Sequence, residues 1–216
     1  MLCASCERDF NRDFEGYIIN SLRRIDTDIS NEGKLVHDLD NDKLFIFAVS
    51  VVWRASVSRN PFYRGTSSEH VLQLLRLILK ERNKASSIAI AMSKMSVTLK
   101  RATFHDESIR KCLSSQVIAP VVQVRGERRK RKSVAFAVQG FCIEVHFYRI
   151  PTWKAKSSGL MLPGRKTATI PKVNFLHHKL FHGATMVMMD KAVNGKMTKS
   201  VARHQQDKER VRNSLP

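Results

Sequence analysis

Two cysteines separated by two residues, Cys3 and Cys6, can turn both thiolates toward one metal ion from a single tight turn. Structural zinc sites use this unit in pairs. The chain supplies one such pair. Its other cysteines, Cys112 and Cys142, stand alone in mixed or apolar surroundings. His177, His178 and His182 include an i, i+4 pair at zinc-like spacing, but they lie far along the chain. Zinc is therefore the cofactor that Cys3 and Cys6 imply, in an incomplete site. Inert surface thiols and a redox pair remain open as alternatives. The redox reading expects a strand before the pair, and none precedes residue 3.

A second chemistry resides in Arg128-Arg129-Lys130-Arg131-Lys132. Five consecutive cations cannot face a core, so they project into solvent, where they can neutralise phosphates. Arg125 extends the run, and Lys154, Lys156, Arg165 and Lys166 would add to it if the loops converge. Such contacts give salt-dependent binding that is indifferent to sequence. The plainer reading is a solvated hairpin loop. Aromatic residues, which single-strand binders use for base stacking, do not interleave this run.

The charge balance points the same way. The chain of 216 residues carries 38 Lys and Arg against 19 Asp and Glu, a net +19 with pI ≈ 10.3. That surplus suits a polyanionic partner, DNA or RNA, or an anionic surface. It is unevenly spread: residues 1–50 sum to −4 and residues 51–216 to +23. The polyanion must therefore meet the chain past residue 50.

Other features carry less. His177, His178 and His182 sit among Phe175, Leu176, Leu180 and Phe181, with no acidic residue between Glu144 and Asp190. They read more readily as partly buried structural histidines than as an acid–base site. His105-Asp106-Glu107 reads as a loop or a helix cap. Gly164-Arg165-Lys166-Thr167 lacks the earlier glycine of a phosphate-binding loop, and no Gly-x-Ser-x-Gly elbow occurs. No catalytic residue is assigned.

The elements that must position these residues follow from periodicity. Phe10, Phe14, Tyr17, Ile18 and Leu22 form a helical stripe over Glu7–Arg24. Residues 26–42 read as a polar loop, with Asn41 or Asp42 capping a buried helix over KLFIFAVSVVWRASVSR; its β-branched content leaves a strand as the alternative. Trp53 is expected in the core, with Arg54 paired to an acidic residue from the first fifty. Ser67 or Ser68 caps SSEHVLQLLRLILKERNK, whose stripe is Val71, Leu72, Leu74, Leu75, Ile78 and Leu79. Beyond Asn83 the pattern turns to strands in SSIAIAMSKMSV, QVIAPVVQV and SVAFAVQGFCIEVHFYRI. In the last of these Ile143, Val145 and Phe147 share one face, opposite Glu144, His146 and Tyr148. Residues 152–172 read as irregular, and the final twenty or so as a frayed helix or disordered tail.

Leu2, Cys3, Cys6, Glu7, Phe10 and Glu15, followed by Phe47, Ala48, Ser50, Trp53 and Arg54, resemble a group of bacterial HNH-like zinc-finger proteins over residues 2–60. In that group a first CxxC and a histidine-bearing Ser-His-Ile-Ile-Pro stretch precede this second knuckle, and both are absent here. The resemblance implies that Cys3 and Cys6 are metal ligands whose partners lie in a missing half or on a partner chain. It also implies that the histidine which activates water in an HNH site is missing. The chain then reads as a truncated frame, one piece of a split gene, or a protein whose true start lies upstream.

The expected fold class is α+β: helical over 1–84, strand-rich over 85–150, with a basic, partly irregular extension over 151–216. The expected function is nucleic-acid binding, with an HNH-like endonuclease fragment or an inactive mobile-element frame as alternatives. The longest apolar run, Leu44–Trp53, is about half the ~20 residues of a membrane span. No signal peptide is recognised, so a reducing cytoplasm is the expected location.

Overall fold

The stripe of the first thirty residues folds as its spacing predicts. A π-helical turn, Asn11–Glu15, closed by a hydrogen bond from the Gly16 amide to the Asn11 carbonyl, runs into α1, Gly16–Asp28. Phe10, Phe14, Ile18, Leu22 and Ile25 are buried along it. The computed structural model describes residues 8, 10–28, 35–36, 38–58, 69–81, 84–103, 118–125 and 131–174. All of them belong to the first of two compact units, Met1–Asn174.

After α1 come β1 (Leu35–Val36), α2 (Asn41–Val57), α3 (Glu69–Lys80) and α4 (Ala85–Lys94). The strands β2 (Ser96–Thr103), β3 (Ile118–Arg125), β4 (Arg131–Val138) and β5 (Phe141–His146) follow. A 3-10 turn, Thr152–Lys154, leads to the single-turn α5 (Ala155–Ser158), then β6 (Ala168–Thr169) and β7 (Lys172–Asn174). The fold is α+β. No helix among the described residues is long and apolar enough to cross a membrane.

The cap of α2 is Asp40, one residue before the position the sequence predicts. Its Oδ1 accepts hydrogen bonds from the amides of Asp42 (3.1 Å) and Lys43 (3.0 Å), satisfying donors the first helical turn cannot pair internally. Asn41 does not cap because its side chain is turned inward: Nδ2 donates to the carbonyls of Leu162 (3.0 Å) and Thr167 (3.3 Å). The Tyr17 hydroxyl fixes the approach to the cap, accepting from the Asp40 amide and donating to the Asp38 carbonyl. α2 is apolar nearly all round and is buried nearly all round, from Leu44 to Trp53; it is a core helix and not the alternative strand.

Two sequence expectations change. SSIAIAMSKMSV does not form a strand throughout: its first part is α4, and only the residues from Ser96 enter β2. Ile88, Ala91, Met92 and Met95 are buried, spaced i, i+3, i+4 and i+7, while Ile90 is 60% exposed. A strand would have put Ile88, Ile90 and Met92 on one face. Residues 26–42 are not all loop either. α1 continues to Asp28, and β1 pairs with β6, Leu35 opposite Thr169 and Val36 opposite Ala168.

The main sheet has the order β3-β4-β5-β2-β7, antiparallel except for the parallel pair β2–β7. β4 and β5 form a hairpin through Gln139 and Gly140, whose φ values of 51° and 74° are those of a two-residue type I′ turn. Pro120 lies within a register shift of β3, at one end of the strand order, where a missing amide is tolerated. One sheet face is apolar. Val97, Leu99, Val134, Phe136, Ile143 and Val145 are buried there, and Phe136 meets Phe47 of α2 edge to face at 6.1 Å. Along the free side of β2, the Leu99 amide donates to Gly159 and the Met161 amide donates to Val97. The segment after residue 150, expected as an extension, thus helps to build the sheet.

Candidate nucleic-acid interface

The register of β3 and β4 places the basic run. Arg125 pairs with Arg131 and Val124 with Lys132, so residues 126–130 are the connection of an antiparallel hairpin. Arg125 and Arg131 stand at its two bases. Arg128, Arg129 and Lys130 lie within the connection, outside the described residues. Cys3, Cys6, Cys112, His177, His178 and His182 also lie outside them. Among the described residues no group of three or more His, Cys, Asp or Glu is arranged to hold a metal ion.

The second basic region converges on a cavity of about 400 Å³. Its lining includes Trp153, Lys156, Arg165, Thr152, Thr167 and Thr169. Trp153 is 79% exposed, and Lys154 Nζ lies 4.8 Å above its ring. The wall containing Arg165 is held by α2. The amides of Leu39 and Asn41 donate to the carbonyls of Lys166 and Arg165, and the Gly164 amide donates to Asp42 Oδ1 at 2.9 Å.

The two basic regions belong to opposite edges of the sheet but leave from the same end of it. Gln123, Ser133, His146 and Ser96 form one row across β3, β4, β5 and β2. The β3–β4 connection starts just beyond that row. So does the chain that follows β5 toward Trp153, where the Ile150 amide donates to Ser96 Oγ at 2.8 Å. Three strand spacings separate the outer strands of the row, roughly 14 Å.

The second face of the sheet carries a polar cluster that sequence reasoning did not single out. Glu144 and His146, each 4% exposed, lie with Ser133, Thr98 and Cys142 on this buried face. Ser133 Oγ donates to Glu144 Oε1 at 2.7 Å, and Lys100 Nζ is 3.9 Å from Oε2. His146 Nε2 is 3.2 Å from Thr98 Oγ1. Its Nδ1 is 3.2 Å from the Tyr148 hydroxyl and 3.6 Å from Glu144 Oε1. Hydroxyl, imidazole and carboxyl in that order are the components of an activated nucleophile. Here the hydroxyl of Thr98 is buried beyond the reach of a substrate, and the carboxyl already accepts from Ser133. The arrangement satisfies buried polar groups by mutual hydrogen bonding. Burial pushes the Cys142 thiol up to about 12, with Lys100 lowering it and Glu144 raising it, so it is no nucleophile near neutral pH. The available signal was the alternation of Ser96, Thr98 and Lys100, matched by Cys142, Glu144 and His146 on the paired strand.

No family model, curated protein or solved structure matches this chain.

Proposed function

We propose that the protein binds DNA or RNA by a salt-dependent, sequence-indifferent contact made by the β3–β4 hairpin. One observation carries this reading: the pairing of Arg125 with Arg131, which gathers Arg125, Arg128, Arg129, Lys130, Arg131 and Lys132 about a single hairpin connection. The strand pairing supports a local concentration of cations, and the net charge of +19 supports a polyanionic partner. No enzymatic step is part of the reading, and a reducing cytoplasm accompanies it. The test is a gel-shift titration of wild-type chain and of a variant with the six cations replaced by Ala. Wild type should bind at low salt and weaken steeply toward physiological salt, with log affinity falling by about 0.7–0.9 per log salt for each phosphate neutralised. The variant should bind more weakly with a shallower slope. Absence of binding at low salt, or an unchanged slope in the variant, overturns the proposal.

A second reading is a fragment of an HNH-like endonuclease, with Cys3 and Cys6 holding zinc alongside ligands from a partner chain. It draws support from the packing of the residues that carry the resemblance. Arg54 lies 3.7 Å from Glu15, 3.4 Å from Ser50 Oγ and over the Phe10 ring. Zinc that co-purifies with the chain and is lost in a Cys3→Ser, Cys6→Ser variant supports it, and zinc retained by that variant overturns the assignment of both cysteines.

A further inference from the structure

We infer that the cavity beside Trp153 is a base-stacking site for single-stranded nucleic acid, separate from the β3–β4 hairpin. The inference rests on the nucleic-acid reading for its polymer and adds the strand state and the residues that read it.

Trp153 is the starting point. A tryptophan left 79% exposed contributes nothing to the core and offers its ring to solvent. The 3-10 turn Thr152–Lys154 and the single-turn α5 that follows give its backbone a defined conformation beside the cavity. The cavity, about 400 Å³, is the size of a small-ligand pocket. Its polar lining suits a nucleotide: Lys156 and Arg165 provide cations for a phosphate, and Thr152, Thr167 and Thr169 provide hydroxyls. Lys154, 4.8 Å above the Trp153 ring, adds a further charge.

Electrostatics select the polymer. No acidic residue occurs between Glu144 and Asp190, so the cavity's own lining is free of carboxylates, and Asp42, which accepts from the Gly164 amide, approaches it from α2. A second cavity, about 370 Å³, sets Asp13, Asp40 and Asp42 against one cation, Lys43, and suits an anionic ligand less. An exposed aromatic ring within a cationic surface is how sequence-tolerant single-strand binders hold a base, since every base has a π face. A duplex keeps its bases stacked on one another and cannot offer one to Trp153 without unpairing.

The wall that contains Leu162, Arg165 and Thr167 is preorganised. Asn41 Nδ2 holds the carbonyls of Leu162 and Thr167, and the Asn41 amide holds that of Arg165. A strand stacked on Trp153 can also reach the hairpin. Both leave the same end of the sheet, and the outer strands of the shared row are roughly 14 Å apart.

The experiment uses the full chain, a single-stranded 12-mer of thymidylate, a duplex of about 20 base pairs and anionic phosphatidylcholine–phosphatidylglycerol vesicles. Binding is read by anisotropy of labelled nucleic acid and by intrinsic Trp emission. Trp153→Ala should weaken single-strand binding about five- to a hundred-fold while changing duplex binding less than about two-fold. Trp153→Phe should restore the affinity while abolishing the emission change seen with wild type. The hairpin Ala variant should bind more weakly but show the same emission change at saturation. Thermal melts of the variants should match wild type, since an exposed ring is what is removed. Tight single-strand binding with Trp emission unmoved and Trp153→Ala unchanged overturns the stacking site and leaves the hairpin reading standing. An emission shift with vesicles but not with the 12-mer overturns it in favour of a lipid surface. Failure of the wild-type chain to bind any nucleic acid at low salt removes both readings.

Discussion

Ser133 Oγ donates a 2.7 Å hydrogen bond to Glu144 Oε1 across the β4–β5 hairpin, on a sheet face that is as buried as its apolar opposite. A buried polar pair costs most when only one member is removed. Ser133→Ala is expected to lower stability by about 1–3 kcal/mol in urea denaturation, because it removes a short hydrogen bond to a buried carboxylate. An unchanged midpoint would show that Glu144 does not depend on this donor.

Trp53 and Arg54 are neighbours with unequal roles. Trp53 is buried in the core, so Trp53→Ala should cost about 3–5 kcal/mol. The Arg54–Glu15 pair is about 30% exposed at both side chains, so Arg54→Ala should cost roughly 1 kcal/mol or less for the lost ion pair. Paired melting curves check the contrast.

Gly159 and Gly164 share a φ of 69° but not their surroundings. A Cβ on Gly159 would overlap the Leu99 carbonyl oxygen and approach Pro171 Cδ at 2.9 Å, whereas one on Gly164 meets nothing within 4 Å. Gly164→Ala should cost only the left-handed backbone penalty, about 1–2 kcal/mol. Gly159→Ala should cost clearly more, and should disturb the strand-like contact between Gly159 and Leu99. Chemical denaturation of the two variants side by side tests this.

Cys142 gives a pH dependence with a definite sign. Its thiol has an ordinary value of 9.0 and is pushed up to about 12, chiefly by burial. Below pH 9 native and unfolded chains both hold the proton, and the group contributes no slope. Between 9 and about 12 the unfolded chain releases the proton first, so stability falls as pH rises, by at most about 1.4 kcal/mol per unit for this group. At pH 8 a maleimide should label Cys142 only after denaturation, as peptide mapping would show.

The helices around α2 and α3 were legible because their burial follows a simple angular pattern. Leu75, Ile78 and Leu79 are buried as predicted, and Arg54 does pair with an acidic residue of the first fifty. α4 was not, because SSIAIAMSKM satisfies periods of 2 and 3.6 together; the exposed Ile90 is what separates them. The β4–β5 turn was signalled only by Gln139-Gly140, within a run that alternates on both sides of it. Glu144 and His146 look like a solvent face in the sequence, since alternation marks which residues share a side and not whether that side is wet. The wall of the Trp153 cavity is braced by the start of α2, a juxtaposition that no local pattern encodes.

The hydrogen bonds between the start of α2 and residues 162–167 link positions more than 120 apart in the chain. During synthesis, the first turn of α2 emerges long before the carbonyls that receive Asn41 have been made. β2 likewise waits for Gly159 and Met161 to cover its free side. Closing such distant contacts is slow and exposes a bare strand edge meanwhile. A nascent chain released before residue 160 would therefore present β2 as an adhesive edge, which makes the late-translated segment an internal guard against self-association.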